Sequence, residues 1–276
     1  MTEADRYAVL GNPIKHSRSP QIHAAFAAQT GQVMTYRAQL VELGHFAEVA
    51  QAFFSGGGRG LNITVPFKLD AFRFAHELSG RARRAGAVNT LALQGDGSIY
   101  GDNTDGVGMV RDIHDNLGWE IGGRRVLVLG AGGGVRGILE PLLRRHPNLL
   151  VIANRSVDKA QQLAREFGDL GEVRASSFEA LTGSQYDLVI NGTSASLAGE
   201  LPPLPEQLLA DNCCCYDMMY GAEPSPFMRW AAGQMAWAVA DGLGMLVEQA
   251  AESFCIWRGV RPETRSVIES IRASLS

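Results

Sequence analysis

The feature that most constrains this 276-residue chain is the run from Val126 to Gly137, VLVLGAGGGVRG, near its middle. Four apolar residues in succession read as a strand buried on both faces, and the glycines that follow open a helix. Backbone N–H groups at such a helix start can hold a pyrophosphate, because no side chain blocks its approach. About 120 residues precede this turn, enough for a separate domain. A substrate site is expected there.

The turn alone is weak. Gly130 and Gly132 fit G-x-G-x-x-G, but Val135 holds the third glycine position, so helix must pack on strand differently. An ordinary glycine-rich β–α turn is the bland alternative. The next strand, Leu149–Ala153, speaks against it by ending in Asn154-Arg155-Ser156. A chain that binds NAD usually carries an acid there for the ribose hydroxyls. Arg155 and Lys159 instead offer positive charge, suited to a 2′-phosphate and hence to NADP. The competing reading is a solvated helix start, although cations sit poorly against that end of the helix dipole.

Composition excludes several classes. A net charge of −4 with both signs dispersed leaves no footprint for nucleic acid or an anionic membrane. No apolar run approaches the roughly 20 residues that span a bilayer. The start, with Glu3 and Asp5 ahead of a short apolar stretch, is unlike a signal peptide. Of four cysteines, three are consecutive at Cys213–Cys215, which suits a buried strand and neither a metal site nor a disulfide framework. A cytoplasmic chain without metal is expected. Only three of the 25 basic residues are lysines, Lys15, Lys68 and Lys159. Lysine can surrender a proton and arginine effectively cannot, so a retained lysine hints at proton chemistry.

The expected elements are a strand at 7–10, a helix capped by Ser19 ahead of Pro20, a helix at 46–54 and a strand at 61–65. A hairpin follows over 91–102, then a helix after Asp105 and the nucleotide-binding half. Its later strands are expected at 188–190, 213–216 and 237–239, and a last helix at 245–258 stopped by Gly259. Polar residues gather where strands end: Asn62, Thr64 and Lys68; Asn89-Thr90; Asn191 to Ser194; Asp217 and Tyr220. Ligands of open α/β sheets sit outside those ends, which suggests a polar cleft between two domains.

Two segments stand out as chemical candidates. In NITVPFK, Asn62 to Lys68, a strand runs into Pro66, whose fixed backbone aims Lys68. A plain surface lysine fits the segment equally well. In GDNTDG, Gly101 to Gly106, Asp105 either faces Lys68 or caps the following helix. No histidine has metal spacing, no tyrosine lies four before a lysine, and there is no P-loop or nucleophile elbow.

With GNPIKHSRSP, NITVPFK, AGAVNT, GDNTDG, GAGG, NRS and DGLGMLVEQA in this order, the chain resembles the shikimate dehydrogenase family over nearly its full length. The resemblance implies an α/β fold of two domains, an N-terminal α/β substrate domain and a Rossmann-type doubly wound NADP-binding domain. It places the substrate domain at 1–104 with 242–276 and the NADP domain at 105–241. Lys68 and Asp105 match the catalytic pair. Ser17 and Ser19 match positions that hold the substrate carboxylate; Thr64, Asn89, Thr90, Tyr220 and Gln249 match other substrate contacts. Gly130, Ala131, Gly132, Gly133 and Gly134 match the cofactor turn, and Asn154, Arg155, Ser156, Lys159, Met218 and Gly242 its remaining cofactor positions. Gly134-Val135 replaces a common Ala-Ser, and Ser156 a frequent threonine. The implied reaction is NADPH-dependent, reversible reduction of 3-dehydroshikimate to shikimate, by a monomer or homodimer. Rival readings are a paralogue using quinate or NAD, a non-catalytic NADP-linked sensor of the acid, and a folate-linked dehydrogenase.

Overall fold

A computed structural model describes residues 4–193 and 200–275; Glu3 and Ser194, both noted above, lie outside them. The chain divides into two compact units, 1–108 with 247–274 and 109–246. The seams expected at 104/105 and 241/242 thus run a few residues later, inside two helices.

The first unit is built from β1 (Asp5–Gly11), α1 (Ser19–Thr30), β2 (Met34–Leu40), α2 (Phe46–Ser55) and β3 (Gly58–Ile63). Then come α3 (Lys68–Phe74), β4 (Glu77–Leu78), α4 (Gly80–Ala85), β5 (Thr90–Leu93), β6 (Ile99–Asp102) and α5 (Asp105–Arg111). Its sheet runs β2-β1-β3-β5-β6-β4. β1 pairs in parallel with β2 and β3, whereas β5 is antiparallel to both β3 and β6. The hairpin expected over 91–102 is the β5–β6 pair. Leu10 of β1 and Leu61 of β3 are buried together with Phe46 of α2 and Phe67 just before α3. Rings of Tyr7, His23, Phe26, Phe254 and Trp257 pack against one another elsewhere in the unit.

The second unit holds β7 (Arg125–Leu129), α6 (Gly133–Leu143), β8 (Leu149–Ala153), α7 (Val157–Phe167), β9 (Val173–Ser176) and β10 (Tyr186–Asn191). It continues with β11 (Leu209–Asp217), α8 (Pro226–Gly233), β12 (Ala238–Asp241) and the start of α9 (Leu243–Arg258), after which α10 (Arg265–Ala273) belongs to the first unit. All six strands are parallel, in the order β12-β11-β10-β7-β8-β9. That is the doubly wound Rossmann arrangement, with the order reversing between β7 and β10. Val126 and Val128 enter one core with Val135 and Ile138 of α6; Leu127 and Leu129 enter the opposite core with Phe227 of α8. Each fully buried aliphatic side chain is worth about 1.5–3 kcal/mol against exposure, and both faces of β7 collect it. Cys213, Cys214 and Cys215 alternate between the same two cores as free thiols. Burial pushes the Cys214 thiol up to about 11, which keeps it protonated.

Several local expectations need correction. The helix expected last, at 245–258, is α9 and α10 follows it, and the strand expected at 61–65 is β3 at 58–63. The strand at 237–239 is β12 at 238–241, and Trp237 lies outside it, 66% exposed. Ser19 does not cap α1 but begins it; Ser17 Oγ accepts from the Ser19 N–H at 3.3 Å. Pro20 has no N–H to satisfy at the helix start, and the Ser17 hydroxyl satisfies the N–H of Ser19 just before it.

Candidate active site

Lys68 is placed by the change from β3 to α3. The strand stops at Ile63, the Val65–Pro66 peptide is cis, and Lys68 is the first residue of α3. Its Nζ donates to Asp105 Oδ2 at 2.5 Å, with the lysine side chain 30% and the aspartate side chain 14% exposed. The surface-lysine alternative therefore fails. Asp105 opens α5, but its carboxylate is not the cap: the Asp105 N–H donates to Asn103 Oδ1 at 3.2 Å. With the capping role passed to Asn103, both carboxylate oxygens serve side chains. Oδ1 accepts from Asn89 Nδ2 at 2.8 Å.

Asn89 and Thr90 sit at the start of β5, almost completely buried. Asn89 Oδ1 accepts from the Thr104 N–H at 2.9 Å, and its Nδ2 also reaches Thr104 Oγ1 and Gln249 Oε1. Gln249 and Ser253 lie four apart on α9 and so share one face of that helix. Ser253 Oγ lies 2.7 Å from Thr90 Oγ1. The backbones of α5 and α9 approach closely here, since a Cβ on Gly108 would lie 2.6 Å from the Gln249 nitrogen. Asn62, in the interior of β3, donates to Ser253 Oγ at 3.0 Å and to Thr90 Oγ1 at 3.2 Å. Its Oδ1 accepts from Tyr36 Oη at 2.7 Å, and Ser19 hydrogen-bonds Tyr36 in turn. Ser17 and Thr64 are half-buried, on the segment before α1 and just after β3.

The first unit thus gathers Lys68, Asp105, Asn89, Thr90 and Gln249 into one bonded cluster, joined to Ser19 through Tyr36 and Asn62. His23, Tyr36, Thr104 and Ser253 belong to that cluster and were not singled out as site residues, although Thr104 lies within GDNTDG. The spacing of Gln249 and Ser253 on a helix would have pointed to Ser253. Tyr220 lies in the second unit, with the residues expected to contact a cofactor.

In the second unit Gly130 follows β7 with φ of 104°, a left-handed conformation that favours glycine. A Cβ there would lie 3.1 Å from the Gly192 carbonyl oxygen, so the turns after β7 and β10 touch backbone to backbone. The missing third glycine is explained by the same neighbour. Val135 is buried, and its Cγ2 occupies the space a Cβ on Gly192 would need, 2.5 Å away. The small residue required between helix and sheet has moved to the adjacent strand end. Over Gly132 and Gly133 a Cβ would meet nothing within 4 Å, and α6 begins with no side-chain cap. Its first N–H groups are thus open to an anion.

A cavity of about 480 Å³ continues from this turn past Asn154, Arg155, Ser156 and Lys159 to Thr193 and Pro202. Arg155 and Lys159 are exposed, and neither is ion-paired among the described residues. Asn154 Nδ2 donates to the Ser156 carbonyl at 2.9 Å, which holds the loop before α7. An open glycine turn, an uncapped helix start and two unpaired cations fit a dinucleotide carrying an extra phosphate. Met218 follows β11, where buried Asp217 accepts from Asn191 Nδ2, the Met219 N–H and Ser225 Oγ. Gly242 approaches the same loop so closely that a Cβ would lie 2.3 Å from the Met218 oxygen. Among the described residues no group of histidines, cysteines and acids could hold a metal ion.

Comparison with known proteins identifies the family. Family models match at 9–91 (shikimate dehydrogenase substrate binding domain), 112–198 (shikimate / quinate 5-dehydrogenase) and 242–272 (shikimate 5′-dehydrogenase C-terminal domain). The chain is 62% identical to the shikimate dehydrogenase (NADP(+)) of Cellvibrio japonicus (strain Ueda107), over 98% of each chain. It is 59% identical to the protein of the same name in Methylococcus capsulatus, over 99% of this chain and 98% of that one. The solved shikimate 5-dehydrogenase of Thermus thermophilus, in complex with NADP(H) and shikimate, is 30% identical. It superposes with a TM-score of 0.87, covering 98% of this chain and 100% of that chain. This chain belongs to the shikimate dehydrogenase family.

Proposed function

We propose that the chain catalyses the reversible, NADPH-dependent reduction of 3-dehydroshikimate to shikimate, with Lys68 as general acid and base and Asp105 holding it. The observation that carries this reading is the half-buried Lys68–Asp105 pair, 2.5 Å apart, inside a cluster of amides and hydroxyls. NADPH, when bound, supplies the hydride. As the ketone oxygen gains negative charge, the Lys68 ammonium stabilises it and delivers a proton; in the oxidative direction the neutral amine takes that proton back. Asp105 keeps the amine in one place, and Asn89 fixes Asp105 through its other oxygen.

Ser17 and Ser19 receive the substrate carboxylate in this reading, Thr64, Asn89, Thr90 and Gln249 contact the carboxylate or the ring hydroxyls, and Tyr220 is a further substrate contact. A substrate lacking one of these groups forgoes a hydrogen bond that the site offers, which is how such a site selects a polyhydroxylated acid. Gly130, Ala131, Gly132, Gly133 and Gly134 cradle the pyrophosphate. Asn154, Arg155, Ser156 and Lys159 take the 2′-phosphate, while Met218 and Gly242 line the remaining cofactor surface. One charge-assisted contact to that phosphate is worth about 1.5–3 kcal/mol.

The enzyme acts as a monomer or homodimer in this reading, since one chain supplies every candidate residue. A cytoplasmic location is in keeping with four free thiols. Among the described residues no helix is long and apolar enough to cross a membrane. The test is a spectrophotometric assay of NADPH formation with shikimate and quinate, each crossed with NADP and NAD. Turnover with shikimate and NADP alone supports the reading. Comparable rates with quinate or NAD transfer the chain to a broader paralogue, and binding without turnover removes the role given to Lys68.

A further inference from the structure

The polar cluster of the first unit has a direction, and it starts at His23. The Asn62 carboxamide fits only one way round, because its Nδ2 faces the Asn89 carbonyl oxygen at 3.2 Å, an atom that can only accept. Asn62 Oδ1 therefore faces Tyr36 Oη at 2.7 Å and His23 Nε2 at 3.2 Å, and both must donate into it. That requirement makes His23 the Nε2–H tautomer and leaves Nδ1 a bare acceptor. His23 is completely buried, and Nδ1 has no hydrogen-bond partner.

Packing alone does not account for a histidine at this place. The ring stacks on Tyr36 at 4.2 Å and meets Phe26 edge-on at 5.9 Å, surroundings that an apolar side chain would fill without stranding an acceptor. What the ring adds is a second donor into Asn62. Tyr36 comes from β2 and His23 from α1, so two elements hold one carboxamide oxygen.

Beyond Asn62 the bonds lead to the reacting pair. Its Nδ2 donates to Thr90 Oγ1 at 3.2 Å, and Thr90 Oγ1 donates to Asn89 Oδ1 at 2.9 Å. With the Thr104 N–H also on that oxygen, Asn89 must turn its Nδ2 to Asp105. Asp105 then holds Lys68. We propose that His23 is a positioning residue of the reaction. Its Nε2–H pins Asn62, and through Thr90 and Asn89 keeps Asp105 and the Lys68 amine in a single arrangement. The inference rests on the assignment of Lys68 and Asp105 as the reacting pair.

The test compares His23→Leu, His23→Gln and Lys68→Ala in the purified full chain, by steady-state kinetics with shikimate and NADP and by thermal melting. Displaced catalytic groups cost rate steeply, so His23→Leu is expected to lower kcat about tenfold with a smaller change in KM. Its melting temperature should not fall, because the stranded acceptor is gone. Glutamine can donate from Nε2 to Asn62, so His23→Gln should recover most of the lost kcat. A kcat unchanged in His23→Leu overturns the proposal, as does an equal loss in the leucine and glutamine variants. If the leucine variant fails to fold, Tyr36→Phe, which deletes the other donor to Asn62, must lower kcat; an unchanged kcat there overturns the proposal too. Lys68→Ala separates the two levels. Surviving turnover in that variant removes the parent assignment. Its loss beside a full rate in His23→Leu removes only the role of His23.

Discussion

In the first unit the candidate groups are already bonded to one another: lysine to aspartate, aspartate to asparagine, asparagine to threonine. In the second the candidate cations Arg155 and Lys159 have no ion pair, and the glycine turn shows bare backbone. In the proposed reading, the difference follows from what each region must do. Proton transfer needs a group held within a fraction of an ångström, and only side chains that restrain each other achieve that. Phosphate binding needs charge and open N–H groups, and pairing those groups within the protein would compete with the ligand. One region is ordered before its substrate arrives; the other keeps its contacts in reserve.

The largest effect should come from breaking the ordered region at its end. Lys68→Ala is expected to cost roughly 10²–10⁴-fold in turnover, with KM for shikimate changing far less. Near-normal turnover, read as NADPH formation, would dissolve the contrast between the two regions. The reserve of charge in the second unit is probed by Arg155→Ala. Losing one charge-assisted contact should raise KM for NADP about ten- to a hundredfold and leave kcat nearly unchanged, because the adenosine end is remote from the chemistry. A NADP-to-NAD preference equal to that of the native chain would show that Arg155 does not read the phosphate.

The backbone of the cofactor turn gives a sharper test of why it is bare. In Gly192→Ala the new Cβ meets Val135 Cγ2 at 2.5 Å and Met218 Sδ at 2.9 Å. Overpacking of this kind costs about 1–3 kcal/mol. Denaturant unfolding should show that loss, and Val135→Ala in the same chain should return part of it. Additive losses in the double variant would mean that the two residues do not share the space.

The smallest effect concerns the buried donor of the first unit. Burial holds His23 down at about 3 against an ordinary value of 6.5. Above about 6.5 both folded and unfolded His23 are neutral and its contribution is complete. As pH falls below that value the unfolded chain takes up a proton that the folded chain refuses, and stability drops by up to about 1.4 kcal/mol per pH unit until about 3. Unfolding free energies at pH 6.5 and 5.5 should therefore diverge less in His23→Gln than in the native chain. Equal slopes would show that His23 is not neutral when folded.

Much of the fold was legible because it is local. The apolar run at 126–129 and the glycines after it specify β7 and the start of α6. Gly259 ends α9 in a left-handed conformation, as expected from its place after the last apolar helix segment. Lys68 and Asp105 were marked by motif, yet their meeting was not, since a lysine after a strand and an aspartate before a helix each have an ordinary local explanation. The structure chose between those explanations by giving the cap of α5 to Asn103. Trp237 misled for a similar reason. An aromatic beside Val239 reads as strand, but the chain leaves the preceding turn one residue later.

The family resemblance implied the doubly wound order; spacing and residue type by themselves determined the strand, turn and helix at 126–137, the β5–β6 hairpin and the positions where strands end in polar groups. These follow from periods of two and 3.6 residues and from backbone freedom at glycine and proline, all readable within a short window. Tertiary structure alone decided that His23 donates to Asn62, 39 residues away, and that Asn62 meets Ser253, 191 residues away. It alone moved the missing glycine of the cofactor turn to Gly192. A hydrogen bond or a steric exchange between distant residues depends on how separate elements pack, and no local period encodes that packing.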